Sequence, residues 1–157
     1  MLTYYLGGIN LRDLMEYNFK NRNSMRYVRH KTRNSKKSEN EIAFTIQPEA
    51  QVIIDNYISD NGKLVFGRYS SYEKVYSLVF RHIYKVANLG GVNRKVSYYS
   101  ARKTFAQHGY DMGIEIEKIE YCIGHSMKNN RPIFNYIRIM QEHADKVFRA
   151  IFDQLIK

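Results

Sequence analysis

One stretch of the sequence, from Tyr98 to Ile139, carries side chains that could transfer a phosphoryl group. Arg102 lies near its start, His125 follows an Ile-Gly pair, and Tyr136 lies further on. Arginine and histidine donate hydrogen bonds to phosphate oxygens, and a tyrosine hydroxyl is a nucleophile once its proton is removed. These residue types, in this order, predict phosphoryl transfer on a polyanion.

The composition agrees with a nucleic-acid partner. The chain of 157 residues carries 25 lysines and arginines against 15 acidic residues, a formal charge of +10, together with 14 tyrosines and 8 phenylalanines. A basic surface with aromatic rings that can stack on bases favours nucleic acid. The alternative is that the charge only keeps the protein in solution. An RNA-binding module is less favoured than a DNA-binding one because no known stacking motif is visible.

The length and the 44% hydrophobic content predict a single domain with one core. Cys122 is the one cysteine, which excludes an intrachain disulfide, and its place on an apolar helix side indicates the core. No apolar run reaches about 18 residues, so we expect a cytoplasmic protein without a membrane partner. No phosphate-cradling glycine loop or metal-ligand cluster is visible, so no cofactor and no metal are expected.

The elements that must position these residues are predicted to form an α+β fold that is mostly helical. Two alternating segments, Ser24 to Thr32 and Asn40 to Ile46, predict an antiparallel β-hairpin with a basic tip. The tip could reach into a DNA groove or remain a solvated loop. Within the helix predicted over 48–59, Val52, Ile53 and Tyr57 are expected to face inward. Helical patterns are predicted from about residue 10, and over 48–59, 71–88, 97–112, 115–123 and 140–156.

Three short segments follow one another in a fixed order. They are His30-Lys31-Thr32, Tyr99-Ser-Ala-Arg102 with Lys103 after it, and Ile123-Gly124-His125-Ser126. Together they resemble the catalytic motifs of the tyrosine recombinases, the phage integrase family, in which a hairpin lysine, His-x-x-Arg and Leu-Gly-His occur in this order. The resemblance extends over nearly the whole chain, and it implies that residues 1–157 form the catalytic domain of an integrase of a bacterial mobile element.

The resemblance implies site-specific recombination of double-stranded DNA without a cofactor. Tyr136 would attack the phosphorus and form a 3′-phosphotyrosyl link, and Lys31 would protonate the leaving 5′ oxygen. Arg102 would bind the nonbridging oxygens, His125 would add a donor or help to activate the tyrosine, and Tyr99 would donate in place of the family's histidine. The basic residues expected to contact the DNA are Arg29, Arg33, Lys36, Lys37, Lys103 and Arg131.

Besides Tyr99, two positions depart from the family pattern. Asn10 stands where the family has its first arginine. Arg12 is the candidate replacement, but two residues further along a helix its side chain is rotated by about 200° from that of residue 10. Phe134 falls at the usual spacing after His125, while Tyr136 lies two residues later. We expect Tyr136 to be the nucleophile, because the polar segment before it can lengthen the loop. The alternative is a DNA-binding remnant of the same fold that has lost its chemistry.

Three of the matched residues also have an interpretation without a catalytic role. Arg102 could form only a salt bridge, His125 could cap a helix end, and Lys31 could be a simple phosphate contact. The apolar opening of the chain predicts the C-terminal part of a longer protein, without the first helix or helices of the domain and without an N-terminal DNA-binding domain. The amphipathic segment 143–157 could dock on a neighbouring protomer on DNA or pack within its own core.

Overall fold

The computed structural model describes residues 1–33, 41–125 and 140–155. Within these ranges the chain is mostly helical with a two-stranded antiparallel sheet, so the predicted α+β class is confirmed. No helix among the described residues has the length and apolar character needed to cross a bilayer. The elements in chain order are α1 (Leu2–Tyr5), α2 (Leu11–Glu16), β1 (Ser24–Val28), a 3₁₀ turn (His30–Thr32), β2 (Glu41–Thr45), α3 (Pro48–Tyr57), α4 (Tyr72–Leu89), α5 (Ser100–Asp111), α6 (Ile116–Cys122) and α7 (Gln141–Asp153).

The two predicted strands pair, but the first is shorter than predicted. Its ladder ends at Val28, paired with Glu41, and the chain then enters the 3₁₀ turn. The cause lies far away in sequence, because the His30 amide donates to Asp13 Oδ1 at 2.7 Å. A backbone donor held by a side chain cannot pair with the opposite strand. Lys31 therefore lies on a turn and not on the strand that was predicted to reach Thr32.

The core forms where α5, α6 and α7 cover the inner face of the hairpin. Phe148 of α7 stacks on Phe44 of β2 with ring centroids 4.6 Å apart, and Phe105 of α5 lies 5.1 Å from the same ring. At the edge of this contact, Asp145 accepts hydrogen bonds from the Thr45 amide at 2.6 Å and hydroxyl at 2.7 Å. Aromatic packing and a polar clamp together fix α7 on the sheet.

The apolar face of α7 is used within this chain. Its fully buried residues follow helical spacing, and they belong to the same core as the hairpin. The intramolecular packing that the sequence allowed is therefore present, while docking on a second copy stays a prediction. The buried residues are Ala144, Val147, Phe148, Ile151 and Phe152.

The inward face predicted for α3 was wrong for two of its three residues. Val52 and Tyr57 are exposed and Ile53 is partly buried, while the helix fully buries Ala50 and Ile54. A helix of ten residues with apolar side chains on more than one side does not define its buried face by periodicity alone. Contact with α1 and membership of the common hydrophobic core select the face that is buried.

Replacing Phe148 by alanine is expected to lower the free energy of unfolding by about 3–5 kcal/mol, because the ring is fully buried among three other phenylalanines. Leu155→Ala, at an exposed position just after α7, should change it by about 0.5 kcal/mol or less. Urea unfolding measures both variants. The loss at Phe148 should not depend on protein concentration, and a concentration-dependent loss would contradict packing within one chain.

Candidate active site

Arg102 is a buried charge held by two backbone carbonyls. It projects from the first turn of α5, and only 3% of its surface is exposed. Its Nε donates to the Gly8 carbonyl at 2.8 Å, and one Nη donates to the Ile123 carbonyl. The other Nη has no hydrogen-bond partner among the described residues. No described carboxylate lies within ion-pair distance, so peptide groups anchor Arg102 and leave this buried Nη without a described partner.

The Gly7-Gly8 pair permits this arrangement. Both glycines have positive φ, 64° and 74°. A Cβ on Gly8 would lie 2.5 Å from the Cα of Arg102, and one on Gly7 would lie 2.7 Å from the Cys122 carbonyl oxygen. Only residues without a side chain let the N-terminal segment pass this closely beside α5 and α6.

His125 is placed by the way in which α6 ends. Gly124 adopts φ 68°, its amide donates to the Tyr121 carbonyl at 2.9 Å, and the His125 amide donates to the Glu120 carbonyl at 2.8 Å. These two bonds form a Schellman motif, which explains why glycine precedes the histidine. The backbone makes this cap, and the imidazole forms no hydrogen bond with the described part of the chain, so the helix-cap interpretation does not account for the side chain.

The electrostatics keep the imidazole of His125 neutral near pH 7. Partial burial, then the positive charges of Arg102 and Arg29, lower the pKa of His125 from its usual range. A neutral imidazole can donate one hydrogen bond and can also accept a proton. Both roles predicted for His125 therefore stay open.

Arg29 lies beside Arg102 at the end of α6. It follows β1, and one Nη donates to the Gly124 carbonyl at 2.8 Å. Arg102 donates to the Ile123 carbonyl, so the two guanidinium groups occupy successive peptide carbonyls. The charge of Arg29, after burial, lowers the pKa of Arg102. The sequence analysis predicted Arg29 only as a residue that contacts DNA. Nothing in the neighbouring residues indicated that it would bind the end of α6.

Tyr99 and Lys103 flank Arg102 on the exposed side. The Tyr99 ring lies 5.7 Å from the Arg102 guanidinium carbon and is half exposed, so it covers the cation from the solvent side. Lys103 is exposed on the first turn of α5. Lys31 is exposed on the 3₁₀ turn, two residues after Arg29 in the chain. The structure thus brings Tyr99 to the arginine and leaves both lysines accessible.

Asp13 is a site residue that the motifs did not reveal. Its side chain is buried, Oδ1 accepts from the His30 amide, and Oδ2 has no hydrogen-bond partner among the described residues. Its charge favours the charged form of Arg102 and contributes, after burial, to the raised pKa of Tyr27. The sequence signal that could have revealed Asp13 was a carboxylate directly before Leu14, on a helix side that also buries Leu11.

Arg12 does not join the cluster. It is exposed on α2, where Nε donates to Glu16 at 3.1 Å and the guanidinium lies 5.1 Å from the centre of the Tyr72 ring. Arg33 also reaches Glu16, at 3.7 Å. The described contacts of Arg12 are therefore with Glu16 and Tyr72, and none is with Arg102 or His125. The predicted residues Lys36, Lys37, Arg131 and Tyr136, together with Phe134, lie outside the described residues.

A cavity of about 450 Å³ opens between α2, α4 and the segment before α5. Asn10 lines it where the resemblance places an arginine, and Arg12, Asp13 and Tyr99 share the wall. Tyr72 and Phe80 of α4 form an aromatic side. Asn10, at the position of the family's first arginine, therefore borders an open cavity beside the cluster.

The described residues form an α+β domain in which a buried arginine, a second arginine and a neutral histidine lie near the end of α6. Guanidinium and imidazole groups are donors of the kind that bind phosphate oxygens. The chain is similar to a tyrosine recombinase of Pseudothermotoga lettingae, with 28% identity over 103 residues that cover 62% of the chain. The match spans 35% of that relative, so the chain corresponds to about a third of its length. No family model matches the chain.

Two glycines at equivalent helix ends allow a controlled test of the α6 terminus. Gly113 ends α5 with φ 71° and open space around it, whereas a Cβ on Gly124 would overlap Ile42 and lie 2.7 Å from the Arg29 stem. Gly113→Ala should cost about 1–2 kcal/mol for the left-handed backbone. Gly124→Ala should cost about 1–3 kcal/mol more because of the overlap. Equal losses in urea unfolding would contradict the close contact between Arg29 and α6.

The NMR titration of His125 should report the same contact. Its midpoint is expected below the usual histidine range, and Arg29→Ala should raise it, since removal of a nearby positive charge makes protonation easier. Arg26→Ala, which removes an exposed cation paired with Glu41, is the matched control and should leave the midpoint unchanged. An identical midpoint in wild type and Arg29→Ala would show that the two side chains are not close.

Proposed function

We propose that this chain is the catalytic domain of a site-specific DNA recombinase, which cleaves and rejoins strands through a 3′-phosphotyrosyl intermediate. The observation that carries the proposal is Arg102, a buried cation near the imidazole of His125 with one Nη that has no hydrogen-bond partner among the described residues. The distant similarity to a tyrosine recombinase supports the same family of reactions. The net charge of +10 supports DNA as the substrate, bound through its phosphates.

The proposed chemistry needs donors that are in place before reaction. The Tyr136 hydroxyl oxygen forms a bond to phosphorus, and the bond from phosphorus to the 5′ oxygen breaks. Arg102 donates to a nonbridging oxygen, whose charge grows in the transition state. Lys31 gives a proton to the departing 5′ oxygen, and the tyrosine proton passes to water or to His125. The phosphodiester energy stays in the tyrosyl link, so rejoining needs no nucleotide cofactor.

The placement of Arg102 suits this role. Two carbonyls already orient the guanidinium, so phosphate binding costs little side-chain entropy. Lys31 lies on a turn whose first amide is fixed by Asp13, which restricts the backbone while the side chain stays accessible. We accordingly propose that the protein is cytoplasmic and acts on double-stranded DNA, either alone or as several copies assembled on the DNA.

A second candidate is a DNA-binding domain of the same fold without strand-cleaving activity. Asn10 favours it, because an amide at the cavity wall supplies no positive charge to a phosphate. Phe134 at the usual tyrosine spacing favours it as well. Both candidates bind DNA with an affinity that falls steeply with salt, and they differ in whether a covalent adduct forms.

Covalent capture on nicked suicide duplexes separates the two candidates. Duplexes tiled across the DNA that flanks the gene are incubated with the protein, and any DNA-linked peptide is mapped by mass spectrometry. We expect an adduct at Tyr136, its loss in Tyr136→Phe, and a fall of about 10²-fold or more in Arg102→Ala. Phe134→Tyr is the matched control, since it restores a tyrosine at the usual spacing.

The control variant distinguishes a shifted nucleophile from a lost one. An adduct at residue 134 in Phe134→Tyr, together with none in wild type, would show that the native chain has lost its nucleophile. Salt-sensitive DNA binding without an adduct in any variant would favour the DNA-binding domain and contradict the recombinase.

A further inference from the structure

The cluster at the end of α6 contains one more cation than the motifs assign to it. A phosphodiester under attack carries charge on two nonbridging oxygens, and two separate donor groups stabilise it better than one. Arg102 supplies one guanidinium. Asn10 supplies none, and Arg12, which lines the neighbouring cavity, is held there by its ion pair with Glu16 and its contact with the Tyr72 ring.

Arg29 occupies a position from which it can complete the site. Its Nη donates to the Gly124 carbonyl, next along the backbone from the Ile123 carbonyl that Arg102 uses. The two guanidinium groups are thereby fixed side by side by one helix terminus. Arg29 is partly exposed and Arg102 is buried, so a phosphate arriving from solvent would meet Arg29 first.

The mutual repulsion of two fixed cations favours an anion between them. After burial, the charge of Arg29 lowers the pKa of Arg102, and the charges of both arginines lower the pKa of His125, so the three side chains lie within electrostatic reach of one another. The partial negative charge at the C-terminus of α6 offsets part of this repulsion in the free protein. A bound phosphate oxygen would reduce it further.

We propose that Arg29 is a catalytic residue, which supplies the second guanidinium for the scissile phosphate from the end of β1 in place of the arginine missing at position 10. This inference rests on the proposed strand-cleaving function. It assigns Arg29 to one nonbridging oxygen and Arg102 to the other. It also accounts for Asn10 without loss of activity, because the charge is delivered from the hairpin side of the site.

The simpler role for Arg29 is a cap on the α6 carbonyls, and a neutral substrate separates the two roles. A methylphosphonate at the scissile position replaces one charged nonbridging oxygen with a methyl group. A guanidinium that stabilises that charge matters less on such a substrate, whereas a cap that supports the fold matters equally on both. Cleavage rates are measured on the phosphate and on each methylphosphonate diastereomer, with the duplex that wild type captures most efficiently.

We expect Arg29→Ala to lower the cleavage rate about 10²-fold or more on the phosphate and less than about tenfold on one methylphosphonate diastereomer. Because both rates come from one preparation, their ratio does not depend on the fraction of the variant that is folded. Arg29→Lys, which keeps the charge but not the planar fork, should lie between wild type and alanine. Arg26→Ala removes an exposed, ion-paired cation on the same strand and should match wild type on both substrates.

The outcomes separate the inference from the function on which it rests. Equal losses in Arg29→Ala on both substrates, or no loss on either, would overturn the catalytic role of Arg29 while wild-type cleavage leaves the recombinase standing. No adduct from wild type on any duplex would overturn the recombinase and the role of Arg29 together.

Discussion

The burial of the Arg102 guanidinium is the constraint on which the rest of the site depends. Taking an isolated cation out of water costs several kcal/mol unless its donors are satisfied. The Gly8 carbonyl and the Ile123 carbonyl satisfy two of them. Ile123 is the C-cap of α6, and the last carbonyls of a helix have no partner inside it. The arginine therefore gives this carbonyl a donor, and the carbonyl gives the arginine an acceptor. The same bonds tie the N-terminal segment, α5 and α6 into one unit.

This arrangement sets which residues can surround the site. Glycine is required at position 8 because the chain passes directly over the Arg102 backbone, and at position 124 because a Cβ would meet the Arg29 stem. The α6 terminus then orients three groups at once, the two arginines through successive carbonyls and His125 through the helix cap. Backbone bonds therefore hold these groups in place before any substrate binds, which is the property that the proposed phosphoryl transfer would use.

Much of the fold followed from local signals in the sequence. Ser71 caps α4 through the Lys74 amide, Pro48 opens α3, and the helix predicted before Gly124 ends there in a Schellman motif. Features set by distant contacts could not be predicted in this way. Asp13 ends the first strand early by taking the His30 amide, and tertiary packing turns Val52 outward. The position of Arg29 depends on α6, which lies almost a hundred residues away in the chain, so the sequence showed only a basic residue in a strand.

The most direct test of this account is the NMR signal of the Arg102 Nε–H group. If Nε donates to the buried Gly8 carbonyl, its proton should exchange with water far more slowly than that of exposed Arg26 in the free protein. Addition of a nicked DNA duplex should then shift the Arg102 and Arg29 signals and leave the Arg26 signal in place. An Arg102 proton that exchanges as fast as that of Arg26, or that does not respond to DNA, would contradict an anchored arginine poised for phosphate.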